Sequence, residues 1–211
     1  MSELLGLPLF NDNLLSYYRF EGNSNDSKGT QNGTDNGVTY SAANGRYTQG
    51  VGFVGAGTSY IDIAGISAAA PISATCWISP NSLPGVGTQA NLVTGLTDSF
   101  QWVLNNSGQQ IFSKNGSVAI GTSSTNVGTG SFAHIAATYN GTVVNFYLNG
   151  NQDGAGTNAQ TLGNIIRFGG DTSLNNYNGA MDDLGIFNKV LSQTDINILY
   201  QSGQTYLGKT W

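Results

Sequence analysis

Twelve acidic side chains and a single histidine hold nearly all the acid–base chemistry available to this 211-residue chain. Only two of the acids are glutamates, Glu3 and Glu21. Asp182 and Asp183 are adjacent within an alternating apolar run. On a regular strand neighbouring side chains point to opposite faces, so these two are not expected to work as a pair. Glycoside hydrolysis needs two carboxyl groups about 5 to 10 Å apart across the scissile bond. Any His-based nucleophilic triad would have to pass through His134. That residue sits in mid-strand with no Gly-x-Ser-x-Gly elbow elsewhere, and a hydrogen-bonded structural role is expected. Gly50, Gly52 and Gly55 fit G-x-G-x-x-G, but Val51, Phe53 and Val54 between them read as strand. No helix pattern follows, so no dinucleotide loop is expected.

Binding chemistry is better represented. Oxygen donors crowd the loop Asn23, Asn25, Asp26, Ser27 through Asn32, and calcium takes about six to eight oxygens, many of them backbone carbonyls. Asp26 could equally close an Asx-turn, with Asp182 bonding backbone amides. The stretch Asn149, Asn151, Asp153, Gly154 imitates the start of an EF-hand loop, but position 12 is Gln160 and no flanking helices appear. For sugars, the expected surface is an exposed aromatic beside amides and carboxylates. Tyr177 with Asn175 and Asn176, in the loop DTSLNNYNG, and Asp98 before Phe100 are the candidates. Trp102 shares a face with Phe100 and Leu104 and is assigned to the core instead. Cys76 is the only cysteine and shares a face with Ile72, Ala74 and Ile78, so a buried, inert thiol is expected.

The elements that must position these groups are short strands. Thirty glycines, abundant Asn, Ser and Thr, and few helix formers suit strands joined by tight turns. Asn-Gly pairs recur at Asn32, Asn36, Asn44, Asn115, Asn140, Asn149 and Asn178, each a hairpin signal because Asn-Gly accepts positive φ. The best hairpin is GTVVNFYLNGNQDG, turning at Asn149-Gly150, preceded by the alternating run SFAHIAATYNG. Further strands are predicted over 14–21, 49–54, 71–78, 90–94, 100–104, 109–114 and 165–170, a spacing typical of sandwiches and barrels. One helix is predicted after them. Ser192 is its N-cap, Asp195 completes a capping box, and Leu191 with Ile196 form a hydrophobic staple. Ile196, Leu199 and Tyr200 make its apolar face and Gly203 its stop.

Charged residues are 9% of the chain, with a net charge of −5. Seven scattered basic residues leave no footprint for nucleic acid or anionic lipid. No segment approaches membrane-spanning length. Residues 1–13 carry neither a basic region nor an extended apolar core, so no signal peptide is expected. The chain reads as one domain over 14–203, with an N-terminal arm (1–13) and a C-terminal tail (204–211). The arm's Leu4, Leu5, Leu7, Leu9 and Phe10 and the tail's Trp211 could pack on their own domain or dock on a neighbour, including a second copy in a homo-oligomer.

The segment NGAMDDLGIFNKVLSQTDINILYQSG (178–203) resembles the closing strand, loop and capped helix of laminin-G-like, concanavalin-A-type jelly rolls. LLSYYRFEGNSNDSKGTQNGT is similar to that family's opening aromatic strand and Asn/Asp/Gly-rich loop. VGFVGAGTSYIDIAG, PISATCWISP and FAHIAATYNGTVVNFYLNG look like its following strands, in the same order. The likeness spans about residues 14–203 and is weakest over 80–130, where loop variation carries specificity. It implies an all-β, two-sheet antiparallel jelly-roll sandwich with one short C-terminal α-helix. It also implies recognition rather than chemistry, since the Glu-x-Asp-x-x-Glu strand of one related glucanase group is absent. In calcium-binding members an aspartate of the early loop meets one from the late strand, which points to Asp26 and Asp182 with oxygens near Gly29 and Asn32. Two settings are expected: a virion component, such as a phage capsid decoration or fibre protein attached to its particle through the arm or the tail, or a carbohydrate-binding module of a bacterial surface or secreted protein. Surface glycans are the expected ligands, and no enzymatic activity is expected.

Overall fold

The computed structural model describes residues 12–55, 57, 59–96, 99–114, 119–170 and 175–205, with side chains to residue 202. The first strands are β1 (Leu14–Tyr18), β2 (Thr34–Asn36), β3 (Thr39–Ser41), β4 (Gly50–Val54) and β5 (Tyr60–Ile66). Then come β6 (Ile72–Pro80), β7 (Gln89–Thr94), β8 (Phe100–Asn105), β9 (Gln110–Lys114) and β10 (Ala119–Thr122). The chain continues with β11 (Ala133–Tyr139), β12 (Val143–Leu148), β13 (Asn151–Thr157), β14 (Ile165–Phe168) and β15 (Asn178–Phe187), and closes on the helix α1 (Gln193–Thr205).

The strands form two antiparallel sheets. One runs β13-β12-β11-β6-β15-β4-β3 with β1 added on β15, and the other runs β10-β9-β8-β7-β14-β5-β2. The expected sandwich is therefore the fold. Alternation explains why these segments are strands: Ile72, Ala74, Cys76 and Ile78 of β6 turn inward. They meet Phe100, Trp102, Leu104 and Phe168 from the facing sheet in one core. Trp102 and Cys76 are fully buried, as their faces predicted, and burial pushes the thiol pKa of Cys76 up.

The outer face of the first sheet is covered as well. Leu14, Tyr17, Ala136, Tyr147 and Phe187 form a second apolar cluster with Leu191 and Ile196. The capping box is reciprocal: the Asp195 backbone N–H donates to Ser192 Oγ (3.2 Å), and the Ser192 N–H donates to Asp195 Oδ2 (2.9 Å). Lys189 Nζ reaches the same carboxylate at 3.1 Å.

Two local expectations are corrected. Asn178-Gly179 makes no turn; both residues pair with β4, Asn178 opposite Val54 and Gly179 opposite Phe53, because sheet pairing there outweighs a local turn preference. Gly203 does not end the helix, which runs to Thr205, so the expected 204–211 tail begins inside it. Asn149-Gly150 does turn as predicted, with φ of 50° and 83°. Residues 1–11 and 206–211 lie outside the described residues, and with them the apolar arm and Trp211.

Candidate functional site

Three places gather polar chemistry. The first is the middle of β15. Residues 178–181 of that strand pair with β4 and residues 184–187 pair with β1, so Asp182 and Asp183 fall where its neighbour changes. Opposite them on β6, Asp182 pairs with Trp77 and Gly185 with Thr75, leaving two residues of β15 against Cys76 alone. Asp183 takes φ 50°. This is a β-bulge, and it corrects the expectation that the two carboxylates face apart. Met181 and Leu184 on either side both point into the core, and both aspartates lie on the outer side. Asp182 Oδ2 accepts the Arg46 N–H at 2.8 Å, and Asp183 Oδ1 accepts the Tyr17 hydroxyl at 2.5 Å.

Burial pushes Asp182 up, and the charges of Asp183 and Glu21 push it further against the Arg46 N–H. Burial also raises Asp183, which the Tyr17 hydroxyl and Arg19 hold back. Asp182 is fully buried, and its Oδ1 has no hydrogen-bond partner.

The second place is the β1–β2 loop. Asp26 Oδ1 accepts the N–H groups of Tyr17, Lys28 and Gly29 at 2.9 to 3.0 Å, and Oδ2 accepts that of Gln31 at 3.2 Å. Asn32 Oδ1 accepts the Asp26 N–H at 2.9 Å. A Cβ at Gly29 would meet Asp26 Oδ2 at 2.6 Å and the Leu15 carbonyl oxygen at 2.8 Å, so the loop closes tightly on this carboxylate. Burial raises its pKa, but the Gly29, Tyr17 and Lys28 N–H groups outweigh that and hold it below the usual value. The expected calcium set therefore splits between two environments. Asp26 and Asn32 present oxygens that already accept N–H donors, and Asp182 Oδ1 has no hydrogen-bond partner. Among the described residues no group of three or more His, Cys, Asp or Glu side chains is placed to hold a metal ion.

His134 and Trp77 belong to a closed aromatic box on the same outer face. Their ring centroids are 5.2 Å apart, and Tyr200 of α1 stacks on Trp77 at 5.7 Å. The Arg46 guanidinium lies 4.8 Å over the indole. Burial pushes His134 down to about 3, so its imidazole is neutral. Its ring packs against Trp77 and Tyr200, and Nδ1 has no hydrogen-bond partner.

The third place is a pocket of about 220 Å³ at one end of the sandwich. Gly55, the loop from Ser82 to Gly85, Thr88 to Ala90, Asn176 and Asn178 line it. Asn176 is only 8% exposed, yet neither Oδ1 nor Nδ2 has a partner. Of the expected sugar contacts, Asn176 lines the pocket, but its amide oxygen and nitrogen are themselves buried from solvent. The Asn175 carbonyl instead accepts the Asn91 N–H and side-chain amide, each at 3.0 Å. Tyr177 is fully buried with its hydroxyl on the Ala180 carbonyl (3.0 Å), so it cannot stack on a sugar. Its ring packs against Phe53 in the core instead. Asp98 lies outside the described residues. The 82–90 segment was not singled out by residue type; its only signal was its place in the weakest part of the family likeness. Val86, at the tip of that loop, is 92% exposed and Val54 beside Gly55 is 58% exposed.

Two antiparallel sheets, one capped helix and a loop-end pocket define a jelly-roll domain of the lectin kind. The chain belongs to the concanavalin A-like lectin/glucanases superfamily, whose laminin-G profile matches residues 54–197. Domain 4 of AbnA, an extracellular GH43 arabinanase from Geobacillus stearothermophilus solved with arabinotriose, is similar with a TM-score of 0.74 at 19% identity. That match covers 89% of this chain and 98% of the domain. The binding domain of Paraclostridial Mosquitocidal Protein 1 gives a TM-score of 0.73 at 17% identity, over 92% of this chain and 53% of that one. Trypanosoma rangeli sialidase gives 0.67 at 14%, with 92% of this chain covering 33% of the enzyme. At such identities the likeness is one of fold. No curated protein matches the chain by sequence.

Proposed function

We propose that this chain is a non-enzymatic recognition domain that binds glycans, or a glycan-bearing receptor, in an extracellular setting. The observation that carries the reading is the loop-end pocket of about 220 Å³, lined by Ser82 to Gly85, Thr88 to Ala90, Asn176 and Asn178. The similarity to a domain solved with arabinotriose and to a toxin's binding domain supports it. Glycan-array screening of the whole chain tests it: reproducible hits are expected, and silence across the array would remove the reading.

A finer version makes the chain a virion-surface component docked on capsid or fibre proteins through residues 1–13 or 204–211. It rests on the apolar residues of those segments alone. Deleting residues 1–13 without changing particle occupancy would eliminate it. Calcium is likewise a proposal, and it rests on Asp182. The expected result is a calcium-dependent rise in melting temperature of EDTA-treated protein that Asp182→Asn abolishes; no heat of binding and no rise would end it.

A further inference from the structure

We propose that Asn140 is a self-modifying site, where the side chain cyclises with the Gly141 backbone nitrogen to a succinimide. Ammonia is released, and water opens the ring to aspartate or isoaspartate. Asn-Gly pairs are open to this reaction because glycine puts no side chain in the path of the attack. Seven such pairs occur in the chain, and the fold decides among them.

Four of the six described pairs are closed to it. The Gly33 N–H donates to the Ser24 carbonyl (2.9 Å) and the Gly45 N–H to the Ala42 carbonyl (3.3 Å), so those two nucleophiles are engaged. Asn178 and Gly179 are paired in the sheet with Val54 and Phe53. Gly150 is buried, with Tyr200 and Asn197 packed against it and its carbonyl accepting the Gln193 amide. At Asn36 the nitrogen that must depart is tied to the Thr34 carbonyl at 3.1 Å. Asn115 lies outside the described residues.

Asn140 is exposed in the turn between β11 and β12. Its Oδ1 accepts two backbone N–H groups, that of Thr142 at 2.9 Å and that of Val143 at 2.7 Å. The side chain is thereby folded over the intervening Gly141 peptide. Both bonds fall on the oxygen, which leaves Nδ2 free to depart. The Gly141 N–H has no acceptor among the described residues, and its φ of 103° suits glycine.

Hydroxide takes the Gly141 amide proton, and the nitrogen bonds to Asn140 Cγ. The carbonyl electron pair moves onto Oδ1, where the two N–H groups stabilise the charge as an oxyanion hole does. The pair then returns, the Cγ–Nδ2 bond breaks, and Nδ2 leaves as ammonia with a proton from water. Water opens the ring at Cγ to give aspartate, or at the backbone carbonyl to give isoaspartate. The aspartate keeps both N–H donors, now on a charged acceptor.

Peptide mapping by mass spectrometry of the whole chain, held in mildly alkaline buffer over days, tests this. Asn140 is expected to convert at least about tenfold faster than Asn32, Asn44, Asn149 and Asn178, and faster than Asn36. A more acidic isoform should grow at the same rate on ion exchange. In concentrated urea, where the six pairs lose their surroundings, the rates should converge. Asn140→Asp should fold with a melting temperature at or above that of the wild type. Asn140 remaining an amide in the folded protein overturns the proposal, as does faster conversion at another of the six pairs. A ranking that persists in urea also overturns it, because sequence rather than fold would then set the order. So does a clear fall in the melting temperature of Asn140→Asp, since the two N–H groups would not then hold an anionic oxygen.

Discussion

Four backbone N–H groups converge on the carboxylate of Asp26, which makes this side chain the organiser of the β1–β2 loop. Asp26→Asn keeps the shape but replaces charge-assisted acceptors, and should cost about 2 to 3 kcal/mol in denaturant unfolding. His134 weakens the fold in acid, while Asp182 and Asp183, raised by burial, pull the other way. The folded pKa of His134, about 3, lies below the ordinary 6.5, so the unfolded chain binds the proton first. Stability from the neutral ring is complete above about pH 6.5 and declines as pH falls toward the folded value, by on the order of 2 kcal/mol at pH 5. Relative to wild type, His134→Phe should gain stability as pH falls from about 7 to about 5; parallel pH dependences for wild type and variant would refute the assignment. At Asp182 and Asp183 the residue types were legible from the sequence but their geometry was not. A bulge has no reliable sequence signature, and here one residue at φ 50° moves both carboxylates to one side.

The helix is the element whose limits were easiest to read, because its start is set by local bonds. Ser192 and Asp195 satisfy each other's N–H groups, and Leu191 and Ile196 pack together beneath them. Ser192→Ala should lower stability by about 1 kcal/mol. As α1 brings Tyr200 onto Trp77, the same variant should change near-ultraviolet dichroism; an unchanged spectrum and midpoint would show that the cap is dispensable. Its end was misread, since a glycine inside a helix costs only about 1 kcal/mol and need not stop it. Asn178-Gly179 failed as a turn because ladder pairing with Val54 and Phe53 outweighs the dipeptide's preference. Among strands, those with strong alternation were found. β2, β3 and β10, of three or four residues each, carry too few apolar positions to show a period.

Across the whole molecule, stability comes from two sheets closing on one core. Phe168 is fully buried and meets Tyr18 edge to face at 4.8 Å. Phe168→Ala should cost about 3 to 5 kcal/mol in chemical unfolding, whereas Tyr177→Phe, which removes one buried hydroxyl, should cost about 1 kcal/mol and leave glycan binding intact. Lost binding in Tyr177→Phe would restore that residue as a ligand contact. The amino-acid order alone determined the strand-rich class, the core faces, the capped helix and the family likeness, because alternation, turn chemistry and capping act over a few neighbouring residues. Which polar groups meet, and which are left facing a cavity, was decided only when distant segments packed. Asn176 and the 82–90 loop are separated by more than eighty residues, and nothing local to either says that they share a pocket while the adjacent Tyr177 is buried in the core.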